Sequence, residues 1–465
     1  MMNQDTICAI ATAQGGAIGT IRVSGVDAIT ITDKIFFPFK SGKTLDDQAP
    51  YTLTFGQIKD QDEVIDEVLV SLFKNPHSYT GENSTEISCH GSNYILQKVM
   101  ELLIQNGCRT AQPGEFTQRA FMNGKMDLSQ AEAVADLIAS TSAATHKLAM
   151  SQMRGGFSKE LAMLRNELLH ITSMVELELD FSEEDVEFAN RDQLKELSNK
   201  IATLIEKLTK SFSLGNAIKN GIPVAIIGET NAGKSTLLNT LLNEEKAIVS
   251  NIHGTTRDVI EDTMNIGGVT FRFIDTAGIR DTQDTIESIG IERTFQKLDQ
   301  ADIVLWVVDV ATASEQFKEL SDKIIPRTSD KQLVLLLNKA EDIPQDKKNA
   351  LSKLINDTYK GLPHLFISAK EKEGIDELEK LLIDSSNIPN ISQNDVIVTN
   401  VRHYEALVRA LEAINRVRDG LDMQISGDFL SQDIRECIHH LNDIAGEVTN
   451  DMVLQNIFKN FCIGK

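Results

Sequence analysis

The stretch Gly228 to Ser235, reading G-E-T-N-A-G-K-S, constrains this chain more than any other. The apolar run Ile222 to Ile227 ahead of it predicts a buried strand, and Leu237 to Leu242 behind it predicts a helix. Strand, glycine-bounded loop and helix in that order make a cradle for phosphate. Gly228 and Gly233 let backbone N–H groups turn inward onto anionic oxygens, and the helix adds its positive N-terminal end, worth about 0.3–1 kcal/mol at an exposed site. Asn231, Ala232 and Thr236 complete the loop and its exit. Lys234 is placed to neutralise β- and γ-phosphates, and the Ser235 hydroxyl to hold Mg²⁺.

Four further segments follow in the order that a guanine-nucleotide switch requires. The run Val269 to Ile274 ends in Asp275-Thr276-Ala277-Gly278, a strand-end carboxylate that reaches Mg²⁺ through water and a glycine N–H for the γ-phosphate. Between cradle and strand lies Ser250-Asn251-Ile252-His253-Gly254-Thr255-Thr256, whose threonines supply a hydroxyl for Mg²⁺ and carbonyls. Such a loop orders when a triphosphate is bound. Asn338-Lys339-Ala340-Glu341, after Leu333 to Leu337, and Ser368-Ala369-Lys370, after Leu365 to Ile367, are the base-reading pair. A carboxylate accepts the N1–H and exocyclic NH₂ of guanine, donors that adenine does not present there, so GTP is expected over ATP. The usual aspartate of such a motif is replaced by Glu341, one methylene longer, with Asp342 beside it. Ile279 follows D-T-A-G, where many relatives of this fold carry a water-orienting glutamine. An isoleucine has no group to bond water, so another residue must do so.

Length and charge bound the rest. At 465 residues the chain suggests three domains on a prior of about 150 residues each. Cys8, Cys89, Cys108, Cys437 and Cys462 show no metal or disulfide spacing, which points to a reducing compartment. No basic-then-apolar leader and no bilayer-length apolar run is present, so a cytoplasmic protein that does not enter the membrane is expected. The net charge of −22 argues against strong non-specific attraction to nucleic acid, leaving any RNA contact to a local patch or a partner.

Pattern along the chain gives a multidomain α/β organisation. Short alternating runs such as Ile18 to Val23 and Val64 to Leu72, broken at Gly15-Gly16 and Gly91, predict an α+β domain over 1–121. Apolar residues three and four apart then predict long helices over 122–216: Ala131, Val134, Ala135, Ile138; Leu161, Leu164, Leu168, Ile171; Leu197, Ile201, Leu204, Leu208. Helical character lapses near Leu214 to Gly221, and strand–helix alternation marks a nucleotide domain over 217–388. Helical spacing returns over 389–465, at Val401 to Leu421 and Ile434 to Ile444. A final stretch this short makes a thin bundle alone, so the nucleotide domain is expected to be inserted into one helical domain.

These features resemble, nearly end to end, the tRNA modification GTPase family known as MnmE or TrmE. The match extends to A-I-G-T-I-R-V-S-G at Ala17 to Gly25, to the segments Pro76 to Gly91 and Pro113 to Leu128, and to the terminal F-C-I-G-K. The resemblance implies an N-terminal folate-binding-like and dimerising domain, a helical bundle and an inserted Ras-like P-loop GTPase domain. It implies K⁺ held by Asn231, Ser250, Ile252 and Thr255 in place of an arginine finger, and Glu287 as the residue that orients the attacking water. It implies a tetrahydrofolate derivative, 5-formyl or 5,10-methylene, at Arg22, Glu86 and Lys125, with Cys462 a reactive thiol and Lys465 reaching the folate. Its implied partners are an FAD flavoprotein of the MnmG or GidA type, tRNA and a second copy of the chain. The expected work is building an aminomethyl or carboxymethylaminomethyl group at carbon 5 of wobble uridine (U34).

Three alternatives stay beside this. A ribosome-assembly switch shares such a P-loop but calls for a basic RNA-binding module. A folate aminomethyltransferase acting alone leaves the nucleotide motifs unused. Cys462, fourth from the end, sits as in a prenylation box, to which Gly464 and Lys465 are poorly suited.

Overall fold

The computed structural model describes residues 5–13, 15–40, 42, 44–180, 191–242, 262–274, 298–313, 321–322, 324–359, 361–386, 395–447, 454, 457–459, 461 and 464. They divide into two compact units, one of Met1–Ile138, Gln152–Ala202 and Ala406–Lys465, the other of Ala139–Ser151 and Thr203–Glu405. No helix among the described residues is long and apolar enough to cross a membrane.

The first unit is built on β1 (Thr6–Ile10), β2 (Ile18–Ser24), β3 (Phe36–Pro38), β4 (Thr52–Asp60), β5 (Glu63–Phe73), β6 (Ser84–His90) and β7 (Cys108–Thr110). They form one sheet in the order β3-β4-β5-β6-β2-β1-β7. Every pairing is antiparallel except β1 with β7. The period-2 pattern divides the faces: Thr85, Ile87 and Cys89 of β6 are buried, while Glu86 and Ser88 between them are half-buried. The buried face packs against helices Ala28–Ile35 and Asn93–Gln105 through Ile21, Val23, Ile31, Val70, Leu96, Val99 and Leu103. On the other face Phe37, Phe39, Leu53, Phe55 and Leu69 are exposed, with the Phe39 and Phe55 rings 4.9 Å apart.

In helix Leu128–Ala139 of this unit Ala131 and Val134 are buried as the expected spacing requires, but Ala135 is half-buried and Ile138 exposed; helix Gly156–Asp180 follows its expected spacing. Leu161, Leu164, Leu168, Ile171 and Val175 form the buried stripe of helix Gly156–Asp180, which packs against helix Gly427–Ala445 through Leu430, Ile434, Cys437, Leu441 and Ile444. Helix Arg191–Asn220, whose residues from Thr203 on belong to the second unit, departs from expectation twice. Leu194, Ser198, Ile201, Ala202, Ile205 and Leu208 are buried along its first two thirds, whereas Leu197 and Leu204 of the expected stripe are only half-buried. It also runs unbroken through Leu214 and Ile218, where a lapse was expected. Gly215, within that stretch, allows a close approach: a Cβ on it would lie 1.9 Å from the Val398 carbonyl oxygen.

In the second unit β8 (Ile222–Ile227), β9 (Asp262–Ile266), β10 (Val269–Phe273), β11 (Ile303–Asp309), β12 (Gln332–Asn338) and β13 (His364–Phe366) form a sheet in the order β13-β12-β11-β8-β10-β9. All pairings are parallel except the β9–β10 hairpin, turned by Gly267 and Gly268 at φ 59° and 85°. The central strands are unbroken apolar runs because they are covered on both faces: β11 is buried from Ile303 to Val308. One side packs Leu237, Leu241 and Leu378, the other Ala225, Trp306 and Ile355. The chain leaves β8 toward β10 on one side and β11 on the other, so a ligand cleft belongs at the carboxyl ends of these strands.

Candidate functional site

Four loops meet the carboxyl ends of β8, β11, β12 and β13. The first is the expected cradle. Gly228, at φ 144°, lies so close to β11 that a Cβ would come 2.1 Å from the Val307 carbonyl oxygen. Asn231 takes the left-handed conformation at φ 65°, costing about 1–2 kcal/mol in most residues but less in asparagine. Gly233 follows at φ 98°, where a Cβ would meet Asn338 Nδ2 at 2.1 Å. Helix Lys234–Leu242 begins immediately after, with Ser235 half-buried and Thr236 exposed on its first turn. Lys234 Nζ folds back over the loop and donates to the carbonyls of Gly228 at 2.9 Å and Glu229 at 2.7 Å.

Asn338 joins the cradle to the base-reading loops. Its side chain is buried, its Nδ2 donates to the Ala232 carbonyl at 2.8 Å, and its Oδ1 accepts from the Ala369 N–H at 3.0 Å. Thr240, on the helix after the cradle, donates to the Ala369 carbonyl at 2.7 Å. Ala340 N–H donates to the Ile367 carbonyl at 3.1 Å, so the two base-reading loops are held in register. Lys339, left-handed at φ 64°, pairs with Asp309 at 2.7 Å. Glu341 is exposed beside Ser368. Its carboxyl is held below the usual range by its own backbone N–H first, then by the Ser368 hydroxyl and the charges of Lys370 and Lys339. The longer side chain therefore presents an ionised carboxylate near the S-A-K loop. Lys370 is exposed and pairs with Glu371 at 3.1 Å.

The structure thus brings together Asn231, Ala232, Gly233, Lys234, Ser235, Thr236, Asn338, Lys339, Ala340, Glu341, Ser368, Ala369 and Lys370. Ser250, Asn251, Ile252, His253, Gly254, Thr255, Thr256, Asp275, Thr276, Ala277, Gly278, Glu287, Cys462 and Lys465 lie outside the described residues. Asp309 and Thr240 were not expected in the site. Asp309 had a readable signal, a carboxylate closing an apolar strand run, the same pattern that singled out Asp275.

A second polar cluster sits on the first unit's sheet. The β2–β6 register sets Arg22 opposite Glu86, and the guanidinium donates to Glu86 Oε1 from Nε at 2.9 Å and Nη2 at 2.8 Å. Its Nη1 donates to the Gly464 carbonyl at 3.1 Å, so the chain's C-terminal end reaches this cluster. Its Cζ lies 5.5 Å from the Tyr79 ring centre and 5.7 Å from that of Phe116, within cation–π range. Burial pushes the Tyr79 hydroxyl up, opposed by its bond to Thr117 and the Arg22 charge. Lys125 is exposed and donates to the Pro76 carbonyl at 3.0 Å, with its stem against Gly81. The structure brings Arg22 and Glu86 into contact with each other but places Lys125 on the Pro76–Gly81 loop. Behind that loop Arg119 bonds Asp5, Glu82 and Glu115, and Arg109 bonds Asp5 and Glu115.

Comparison with known proteins agrees across both units. A family model described as the MnmE helical domain matches residues 128–462, and one described as the GTP-binding protein TrmE N-terminus matches 6–125. The chain is 72% identical over 465 residues to the tRNA modification GTPase MnmE of Bacteroides thetaiotaomicron, covering 100% of both. It is 61% identical over 501 residues to that of Phocaeicola vulgatus, again covering 100% of both. A crystal structure of Aquifex aeolicus Era bound to GDP·AlF4⁻ is similar over 41% of this chain and 66% of that one, at 28% identity and a TM-score of 0.29.

Proposed function

Because this chain belongs to the MnmE family of tRNA modification GTPases, we propose that it binds GTP at the carboxyl end of the six-stranded sheet and couples its hydrolysis to modification of tRNA. The observation that carries this reading is Asn338, whose single amide ties the phosphate loop at Ala232 to the base-reading loop at Ala369. That link supports a reading in which phosphate and guanine are recognised in one cleft.

Lys234, now on two loop carbonyls, exchanges them for β- and γ-phosphate oxygens, a stronger charge-assisted contact. Ser235 and Thr256 would hold Mg²⁺, and Asn231, Ser250, Ile252 and Thr255 would hold K⁺. The exposed side chain of Asn231, on a left-handed turn at the loop's crest, fits such a role. Held there, such cations would supply positive charge against the negative charge that grows on the phosphate oxygens. Glu287 orients the attacking water, the task that Ile279 has no group to perform. Glu341 reads guanine, with Ser368 compensating for its added methylene.

In the finer reading the product is an aminomethyl-type group at carbon 5 of the wobble uridine. A tetrahydrofolate derivative supplies one carbon and an FAD flavoprotein of the MnmG or GidA type supplies the redox step. Arg22 and Glu86 fit the folate: a carboxylate suits an amino-pyrimidine edge, and the Tyr79 and Phe116 rings beside the guanidinium suit a flat heterocycle. Lys125, exposed beside the adjoining loop, suits the anionic tail, and the reading keeps Lys465 as a second cation for it and Cys462 as a reactive thiol. The exposed Phe37, Phe39, Leu53, Phe55 and Leu69 supply an apolar face for a second copy. The work takes place in the cytoplasm, with tRNA.

The test is GTP turnover in potassium and in sodium chloride at equal ionic strength. Replacing potassium lowers turnover by at least about 10²-fold, short of the 10³–10⁵ credited to arginine fingers because sodium partly substitutes. Equal turnover in the two salts rules out the cation mechanism.

A further inference from the structure

Asp309 closes β11 directly opposite Asn338 of β12. Its Oδ2 accepts from Lys339 Nζ at 2.7 Å and its Oδ1 from the Ala311 N–H at 2.9 Å. Beside the pair, the Val310 N–H donates to the Asn338 carbonyl at 3.0 Å, so both main chains are tied where the ion pair forms. Lys339 is 45% exposed and Asp309 21%, which places the pair at the rim of the cleft with the acid as its inner member. The backbone at Lys339 is left-handed, a conformation that lysine keeps where its surroundings fix it. Burial pushes the Asp309 carboxyl up, but the bonds from Lys339 and Ala311 outweigh it and leave the acid ionised at neutral pH.

An ion pair this close removes Lys339 as a free cation. What remains to the cleft is the lysine's alkyl stem, two residues ahead of the ionised carboxylate of Glu341. We propose that Asp309 is a positioning residue for the nucleobase: by pinning the Lys339 ammonium it sets the stem as a fixed apolar wall against the face of the purine whose edge Glu341 reads. This rests on the nucleotide reading above and adds to it a residue that touches no ligand. An unpinned lysine samples many rotamers and must be ordered at each binding event, a cost that falls on affinity and leaves the chemical step alone.

The test uses the full chain, GTP turnover and a fluorescent GDP analogue, with Asp309→Asn, Lys339→Met and the double variant. Asp309→Asn weakens GDP and raises KM about tenfold, with kcat changed less than about twofold. Lys339→Met, which approaches the pair from its exposed side and keeps a stem, costs about the same, and the double variant costs about tenfold rather than a hundredfold. Additive losses, a loss confined to kcat, or unchanged affinity in Asp309→Asn overturns the proposal while leaving GTP binding intact. Failure of the unaltered protein to bind the analogue overturns the nucleotide reading together with this one.

Discussion

Replacing Asn338 with alanine asks how much of the nucleotide site rests on one buried amide. The side chain donates to the Ala232 carbonyl at 2.8 Å and accepts from the Ala369 N–H at 3.0 Å. Ala232 is 1% exposed and Ala369 2%, so truncation strands a carbonyl and an N–H away from water. Each orphaned group costs about 1–3 kcal/mol, and about 2–6 kcal/mol is expected for the two. With a urea dependence of about 2 kcal/mol per molar, the unfolding midpoint falls by about 1–3 M. The chain's one tryptophan, Trp306, is fully buried in β11 of the same unit, so its fluorescence reads this transition. Asn338→Asp keeps the volume and the Ala369 bond but sets a carboxylate oxygen against the Ala232 carbonyl, and it is expected to destabilise as well. A midpoint within about 0.2 M of the unaltered protein for both variants would refute the argument, because the stranded groups would then have cost nothing.

Two further outcomes follow from close approach and from charge. Gly228→Ala drives a Cβ to 2.1 Å from the Val307 carbonyl and is expected to lose more than about 3 kcal/mol by the same fluorescence assay. Gly361→Ala, left-handed at φ 84° but with nothing within 4 Å, loses only about 1–2 kcal/mol; equal losses would make backbone conformation, not collision, the cause. In the first unit, Asp5 is held below its ordinary 3.8, by Arg109 first, against burial, with help from Arg119. Glu115 is held below 4.5 because Arg109, the Gln112 N–H and Arg119 together outweigh burial. Both folded values being lowered, the stability they give is complete above about pH 4.5 and lost as pH falls through the lowered values. Hydrogen exchange in β1 between pH 6 and pH 3 should show that loss, and Asp5→Asn should flatten it; an unchanged slope would remove Asp5 from the account.

How much was readable in advance depended on whether the physics was local. The cradle was legible because its strand, turn glycines, lysine, serine and helix are contiguous from Ile222 to Leu242. The apolar runs at β11 and β12 were legible because strands covered on both faces need no alternation. Arg22 and Glu86 are 64 residues apart, and nothing in either strand alone records that their register makes them neighbours. They entered the reading through resemblance, and the sheet supplies the contact. Lys125 entered the same way, and the structure puts it on a carbonyl of the adjoining loop.

Glycine shows most clearly where local reading runs out. Gly215 and Gly228 look alike as helix or strand breakers, yet Gly215 sits inside an unbroken helix of thirty residues and Gly228 ends a strand. In both cases the missing side chain makes room for a carbonyl of a distant segment, Val398 in one and Val307 in the other. A glycine chosen for its neighbour's backbone carries no mark of that neighbour in its own surroundings. The same holds for Asp309, whose meaning comes from Lys339 just after the neighbouring strand, and for Asn338, whose two partners lie 106 and 31 residues away. The chemistry of the site is thus written in short motifs, while its geometry is set by a few long-range contacts that hold those motifs in one cleft, and it is those contacts that the Asn338 and Asp309 variants put to the test.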